Sequence, residues 1–213
     1  MFAPALTFSA VVVLSVFSAG RAAPVAVLMP RALPTPVSVA SAKTYLSELV
    51  VAVDSNSPAY ARDLFKTWDI ISGTCDTRET VLKRDGTSVV VDSACSPTSG
   101  HWVSPYDGVA TTLSSDLDID HLVPLKEAWL SGARDWTPAQ REAFANDLTR
   151  PQLVAITDNL NESKGDKDPT GFVPPLQSYV CTYIRAWINV KHFYSLTIDA
   201  AEKKALETYI DAC

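Results

Sequence analysis

An α+β fold is predicted for residues 40–213, and three observations carry the prediction. Apolar residues recur at helical spacing near both ends of this stretch, in "SAKTYLSELVVAV", "YVCTYIRAWINVKHFY" and "TIDAAEKKALETYIDAC". Period-two alternation marks the middle. It is clearest where Asp116, Asp118 and Asp120 alternate with Leu117, Ile119 and His121. The 213-residue chain is 47% hydrophobic and 20% charged, which suits one sizeable core. No internal repeat or second domain boundary is visible.

The elements follow in order. Residues 1–22 read as a secretory signal peptide. "ALTFSAVVVLSVFSAG" is a continuous apolar run, short for a membrane span and followed by small residues and Pro24. Residues 23–39 are rich in Pro and Ala and read as a propeptide or flexible lead-in. An extracellular protein is expected, with no membrane association after signal removal. Ser41 is a helix-cap candidate, with Tyr45, Leu46, Leu49, Val50 and Val53 on one face. "AYARDLFKTWD" repeats helical spacing through Tyr60, Leu64, Phe65 and Trp68, which read as core aromatics. "TRETVLKRDGTSVVVDSAC" reads as a hairpin turning at Asp85-Gly86. "SGHWVSPYDGVATTLSSD" reads as a turn-rich connector, with His101 structural or exposed.

Beyond Pro124, "LKEAWLSGA" is a short helical segment ending at Gly132. In "TPAQREAFANDL", Thr137 is placed to cap a helix whose first residue is Pro138. "QLVAITDNLNESKGDKDP" passes from a short apolar strand through a polar turn to a helix start. Two helices follow Leu176, separated around Ser195-Leu196, and Thr197 or Asp199 can cap the second.

Four cysteines, Cys75, Cys95, Cys181 and Cys213, suit two disulfides in an oxidising compartment. Of the three possible pairings, the local one is favoured: Cys75–Cys95 and Cys181–Cys213. Closing the first loop contributes about 3 kcal/mol in the chain-entropy model. The spacing contains no C-x-x-C, which argues against a thiolate metal site. The net charge of −6 argues against avid nucleic-acid binding.

One constellation stands apart. Asp120-His121-Leu122-Val123-Pro124 is followed by Gln152-Leu153, Ile156, Asn161 and Lys164-Gly165. At these residues the chain resembles the HNH endonuclease superfamily, and most closely small secreted members with "DHxVPLxEAW … NxxKGDxxP". The resemblance covers about residues 116–175. It implies a ββα-metal (HNH) core within residues 40–213, with upstream helices, a disulfide-stapled hairpin and C-terminal helices around it. The middle Asn of the superfamily pattern is Gln152 here. That side chain mostly holds the loop bearing the His, and Gln offers the same amide donors and acceptor on a longer arm.

The chemistry is consistent with that resemblance. Phosphodiester hydrolysis needs an activated water and neutralisation of charge in the transition state. His121 suits the general base, because its ordinary pKa lies near neutrality. Asp120 and Asn161 are oxygen ligands suited to Mg²⁺ or Mn²⁺, with Asn159 an alternative to Asn161. Lys164, near a helix start, is expected to be catalytic and to hold a phosphate oxygen. Arg78 is a second phosphate contact, Arg62 a weaker one, and His192 reads as structural. Asn161-Glu162-Ser163 is also a glycosylation sequon, and a glycan there excludes a metal-ligand role. The sequence therefore predicts a secreted, monomeric, metal-dependent endonuclease. It would bind DNA or RNA weakly and with little sequence preference. The rival reading is a catalytically impaired secreted HNH-fold binding or effector protein.

Overall fold

The structure, a computed structural model, describes Met1 and residues 33–213. Residues 2–32, where the expected signal peptide and most of the expected lead-in fall, lie outside the described residues. Helix α1 spans Val39–Glu48. Its cap is Ser38, whose side chain accepts from the Ser41 N–H, so the helix begins earlier than Ser41 would allow and ends before Val50. Two short strands, β1 (Ile70–Ser72) and β2 (Cys75–Asp76), lead into α2 (Thr77–Asp85). A three-stranded antiparallel sheet follows, made of β3 (Thr87–Val91), β4 (Pro97–Val103) and β5 (Ala110–Thr111). Next come β6 (Leu117–His121), α3 (Leu125–Leu130), α4 (Pro138–Ala145), β7 (Leu153–Thr157) and α5 (Asp158–Lys164). Two longer helices close the chain, α6 (Gln177–Phe193) and α7 (Ala200–Asp211). The α+β class is as expected.

Three segments differ from the sequence reading. Residues 77–85 are a helix, not a hairpin arm. Asp76 and Glu79 form a reciprocal capping box, and Val81 and Leu82 are buried on one face. The Asp85-Gly86 pair ends this helix rather than turning a hairpin. Gly86 is needed for close approach, because a Cβ there would come within 2.4 Å of Trp102 Nε1. The hairpin is β3–β4, and its turn is held by Asp92 Oδ1, which accepts from the Ala94 and Ser96 N–H groups. Residues 97–103, expected in part as connector, are its second strand, with His101 exposed. The Cys75–Cys95 disulfide therefore ties β2 to the hairpin turn, and Cys181–Cys213 ties α6 to the last residue.

The third difference is "AYARDLFKTWD", which forms only a 3₁₀ turn over Arg62–Leu64. Side chains from elsewhere take up its backbone groups. Arg141 Nε donates to the Leu64 carbonyl, Asn146 Nδ2 to the Lys66 carbonyl, and the Asp69 N–H donates to Asn146 Oδ1. Tertiary partners thus replace the helical ladder.

Strands β6 and β7 form a two-stranded antiparallel ribbon in continuous register, from Leu117 opposite Thr157 to His121 opposite Leu153. The ribbon separates two apolar clusters. Leu153 and Ala155 join Leu117, Ile119, Val81, Leu82 and Trp102 on one side. Val154 and Ile156 join the larger cluster with α1, α3, α6 and α7 on the other. Near-continuous burial along β7 follows from serving both.

In the larger cluster, Lys191 of α6 is fully buried between Glu127 of α3 (2.6 Å) and Glu202 of α7 (2.7 Å). Trp187 Nε1 donates to Glu202 Oε1 at 2.6 Å. The triad locks α3, which starts four residues after His121, to the C-terminal helices. One ammonium faces two carboxylates in a dry site. Desolvation, with repulsion from Glu127, raises Glu202 to about 7 despite the attraction of Lys191. Lys191→Met should lower unfolding free energy by about 3–5 kcal/mol in urea titrations, since it leaves buried carboxylates unpaired. Because Glu202 holds its proton more tightly folded than unfolded, its contribution to stability is present below about pH 4.5 and is lost as pH rises towards 7. Glu202→Gln should flatten that part of the pH–stability profile.

Candidate active site

The exposed end of the β6–β7 ribbon opens into a cleft of about 410 Å³. Its walls include Asp118, Asp120 and His121 of β6, Asn161 of α5, and Arg62, Trp68 and Arg78 from the upstream elements. His121, Asp120, Asn161 and Arg78 are therefore brought together, as the sequence predicts. Asn159 is exposed on the first turn of α5, whereas Asn161 lines the cleft.

His121 is oriented by the chain itself. Its Nε2 lies 2.9 Å from the Ala145 carbonyl at the end of α4. A carbonyl only accepts, so the ring proton resides on Nε2 and Nδ1 keeps its lone pair. The Trp68 ring packs 5.9 Å away, centroid to centroid. Burial pushes the His121 pKa down to about 4, with further lowering from the charges of Arg62 and Lys164. The imidazole is thus neutral at physiological pH, as a proton acceptor must be.

Asp120 is buried, and both its oxygens are engaged. Lys164 Nζ donates to Oδ1 at 2.8 Å, and the Tyr106 hydroxyl donates to Oδ2 at 2.7 Å. Lys164 also donates to the His121 carbonyl at 3.0 Å. This corrects the expectation that Lys164 holds substrate. Its side chain is 0% exposed and faces inward, so a phosphate in the cleft cannot reach the ammonium. Burial raises the Asp120 pKa, against the opposing pull of Lys164 and Tyr106. Asp118, two residues earlier on the alternating strand, accepts from Asn161 Nδ2 at 3.0 Å.

Gln152 performs the loop-holding role expected of it. Its Oε1 accepts from the Val123 N–H at 3.1 Å, and its Nε2 donates to the Val123 carbonyl at 2.8 Å. Its own carbonyl accepts from the Leu122 N–H at 2.7 Å. The turn after His121 is therefore clamped on both backbone groups of one residue. The longer amide meets the geometric need of that clamp.

Arg78 Nη2 donates to the Leu117 carbonyl at 3.2 Å, and Arg62 Nη1 to the Phe65 carbonyl at 3.3 Å. Neither forms an ion pair with a carboxylate among the described residues, and both line the cleft alongside Asp118 and Asp120. His192 stacks on Tyr45 at 3.9 Å and bonds Glu48, a structural placement remote from the site.

Sequence reasoning passed over Asp118, Tyr106, Trp68 and the Ala145 carbonyl. Asp118 was visible in the same alternation that marks Asp120. Tyr106 lies in a turn-rich stretch with no motif, and a backbone carbonyl carries no residue signature. Gln152→Ala should cost about 1–3 kcal/mol by leaving the buried Val123 N–H and carbonyl without partners. Gln152→Asn should recover part of that loss. Denaturant midpoints of the two variants check this.

The family described as "GmrSD restriction endonucleases, C-terminal domain" matches residues 91–208, a span that contains the ribbon, the cleft strand and α5. A protein of Arthroderma benhamiae, described as an uncharacterized secreted protein, is 54% identical over 187 residues. The alignment covers 86% of this chain and 92% of that protein. No solved structure matches the chain. With the family match extending over more than half of its length, the chain belongs to the GmrSD restriction endonuclease C-terminal domain family.

Proposed function

We propose that the protein is a secreted, metal-dependent endonuclease of the HNH kind that hydrolyses phosphodiester bonds with little sequence preference. The observation that carries this reading is the neutral His121, with Nε2 tied to the Ala145 carbonyl and Nδ1 left as a base, in one cleft with Asn161 and two arginines. The family supports a nuclease, and the order of β6, β7 and α5 supports the ββα arrangement. The relative's description and the two disulfides support secretion. No helix among the described residues is long and apolar enough to cross a membrane.

The donors suit a hard divalent cation. Asn161 offers an amide oxygen and β6 offers carboxylates, while no group of three His, Cys, Asp or Glu side chains converges among the described residues. Few protein ligands fit Mg²⁺ or Mn²⁺, which keep several waters. Such an ion, when bound, would neutralise charge developing on the phosphoryl oxygens. The residues do the rest. His121 Nδ1 takes a proton from the attacking water. Water oxygen bonds to phosphorus as the bond to the leaving oxygen breaks, and the leaving oxygen takes a proton from solvent. Arg78 and Arg62 hold the non-bridging oxygens. Gln152, through Val123, and Lys164, through the His121 carbonyl, keep the base in register.

With few free cations at the cleft and a net charge of −6, binding is weak, and because few phosphates are neutralised its salt dependence is shallow. Such affinity suffices for a degradative enzyme that meets abundant substrate.

Plasmid nicking and RNA cleavage by the oxidised mature chain test the proposal. Cleavage should require Mg²⁺ or Mn²⁺ and stop with EDTA. His121→Ala should fold normally yet cut at least about 10²-fold more slowly. Wild-type rates in that variant would remove His121 from the role. The acid limb of kcat/KM, which reports the free enzyme, should fall near pH 4, as His121 becomes protonated there. A bound phosphodiester anion favours the imidazolium, so the acid limb of kcat should lie at higher pH.

A further inference from the structure

We infer that Trp68 is a stacking platform for an unpaired nucleobase beside the scissile phosphate, so that single-stranded nucleic acid is favoured over duplex. That role rests on the nuclease reading above and specifies the form of the substrate.

Trp68 is held against its own backbone preference. Its φ of 63° lies in the left-handed region, which a bulky side chain rarely adopts. The chain is tied down on either side of it. Asn146 Nδ2 donates to the Lys66 carbonyl at 2.9 Å, and Asn146 Oδ1 accepts from the Asp69 N–H at 3.0 Å. The Asp69 carbonyl accepts in turn from the Thr77 N–H at 2.9 Å. These bonds fix the backbone that presents the indole.

The ring itself is half-buried. It packs against the smaller apolar cluster and also lines the cleft. The buried tryptophans Trp102, Trp129 and Trp187 each donate the indole N–H to a protein acceptor. Trp68 makes no such bond among the described residues, and its N–H is not buried. The indole is thus backed by the core and open to the cleft.

An aromatic face supplies what the cleft lacks in charge. Arg62 and Arg78 share the wall with Asp118, Asp120 and Asp166, so phosphate contacts alone bind weakly. Base–aromatic stacking strengthens binding by about 5- to 150-fold per base. It needs no net charge and tolerates any sequence, because every base has a π-face. The Trp68 and His121 rings lie 5.9 Å apart, their planes tilted by 34°. One sugar separates a base from its phosphate, so a base on the indole brings a phosphate to the part of the cleft that His121 lines. In a duplex each base is already stacked and paired. Extruding it carries an unstacking and unpairing cost from which a single strand is largely exempt.

The test uses an oligonucleotide with one natural phosphodiester among phosphorothioates, as single strand and as duplex, with each flanking base present or replaced by a stable abasic sugar. The oxidised mature chain should cut the single strand at least about fivefold better than the duplex in kcat/KM, and lose at least about fivefold at one abasic position. Trp68→Leu should lose a similar factor on the intact strand, mainly in KM. The two losses should not add, because they remove the two halves of one contact. Trp68→Phe keeps a π-face and should recover part of the loss. Additive losses overturn the inference, as does an unchanged ratio of single strand to duplex in Trp68→Leu. So does a loss in kcat alone, equal on every strand, with a displaced acid limb, since Trp68 would then only shield His121. In EDTA, single-stranded oligothymidylate should quench the fluorescence of the wild type more than that of Trp68→Phe. Equal quenching in a wild type that cuts sinks this inference and leaves the nuclease reading intact. Quenching that depends on Trp68, in a wild type that cuts neither DNA nor RNA, sinks the nuclease reading and leaves the platform standing.

Discussion

The site depends on one buried ammonium. Lys164 sits in the last turn of α5, where a positive charge also favours the helix dipole. Burying it without partners would be prohibitive, so Asp120 and the His121 carbonyl must stay within reach. This pins the end of α5 to the end of β6. Asn161 lies three residues earlier on the same short helix, so fixing Lys164 also fixes Asn161 against Asp118. Gly165, at φ 52°, then releases the chain from the helix immediately after the pin. A residue expected to meet substrate instead sets the distance between the groups that line the cleft.

That difference indicates what a sequence can and cannot reveal. The β6 strand, the turn at Pro124, the capped α4, β7 and the terminal helices were legible because periodicity and capping are local. By contrast, α5 was expected as a polar turn before a helix start and is itself the helix, with Lys164 in its last turn. The cysteine pairing was legible because each pair brackets a local unit. That His121 and Asn161 share the cleft was legible from their spacing, whereas Arg78, upstream of the motif, carried only a weaker expectation of phosphate contact. The roles were less so. Whether a lysine faces solvent or a carboxylate depends on packing by Tyr106 and α5, which is not written near Lys164. Residues 77–85 were misread because an Asp-Gly pair signals a hairpin only when the preceding run is not already capped as a helix. Asp76 and Glu79 supplied that cap. Residues 59–69 carried helical spacing, but Arg141 and Asn146, more than seventy positions away, took their backbone groups.

Charge explains the balance between an acidic chain and an anionic substrate. Most basic side chains near the site are spent on structure. Lys164 is buried, Lys126 is paired with Asp166 at 3.3 Å, and Lys66 is paired with Asp69 at 2.7 Å. Arg78 and Arg62 remain. A pair of guanidinium groups can orient one phosphate, but it cannot grip a long stretch of backbone. The scarcity of free cations and the low sequence preference proposed above have a common origin in this arrangement.

The double-sided burial of β7 reaches beyond the site. Each alternate side chain of this strand belongs to a different apolar cluster, so neither cluster can come apart while the strand stays whole. Amide protons along Leu153–Thr157 are consequently shielded from exchange until the chain unfolds throughout. The two clusters and the ribbon between them should then unfold in a single cooperative transition, leaving few partly opened forms for proteases to attack.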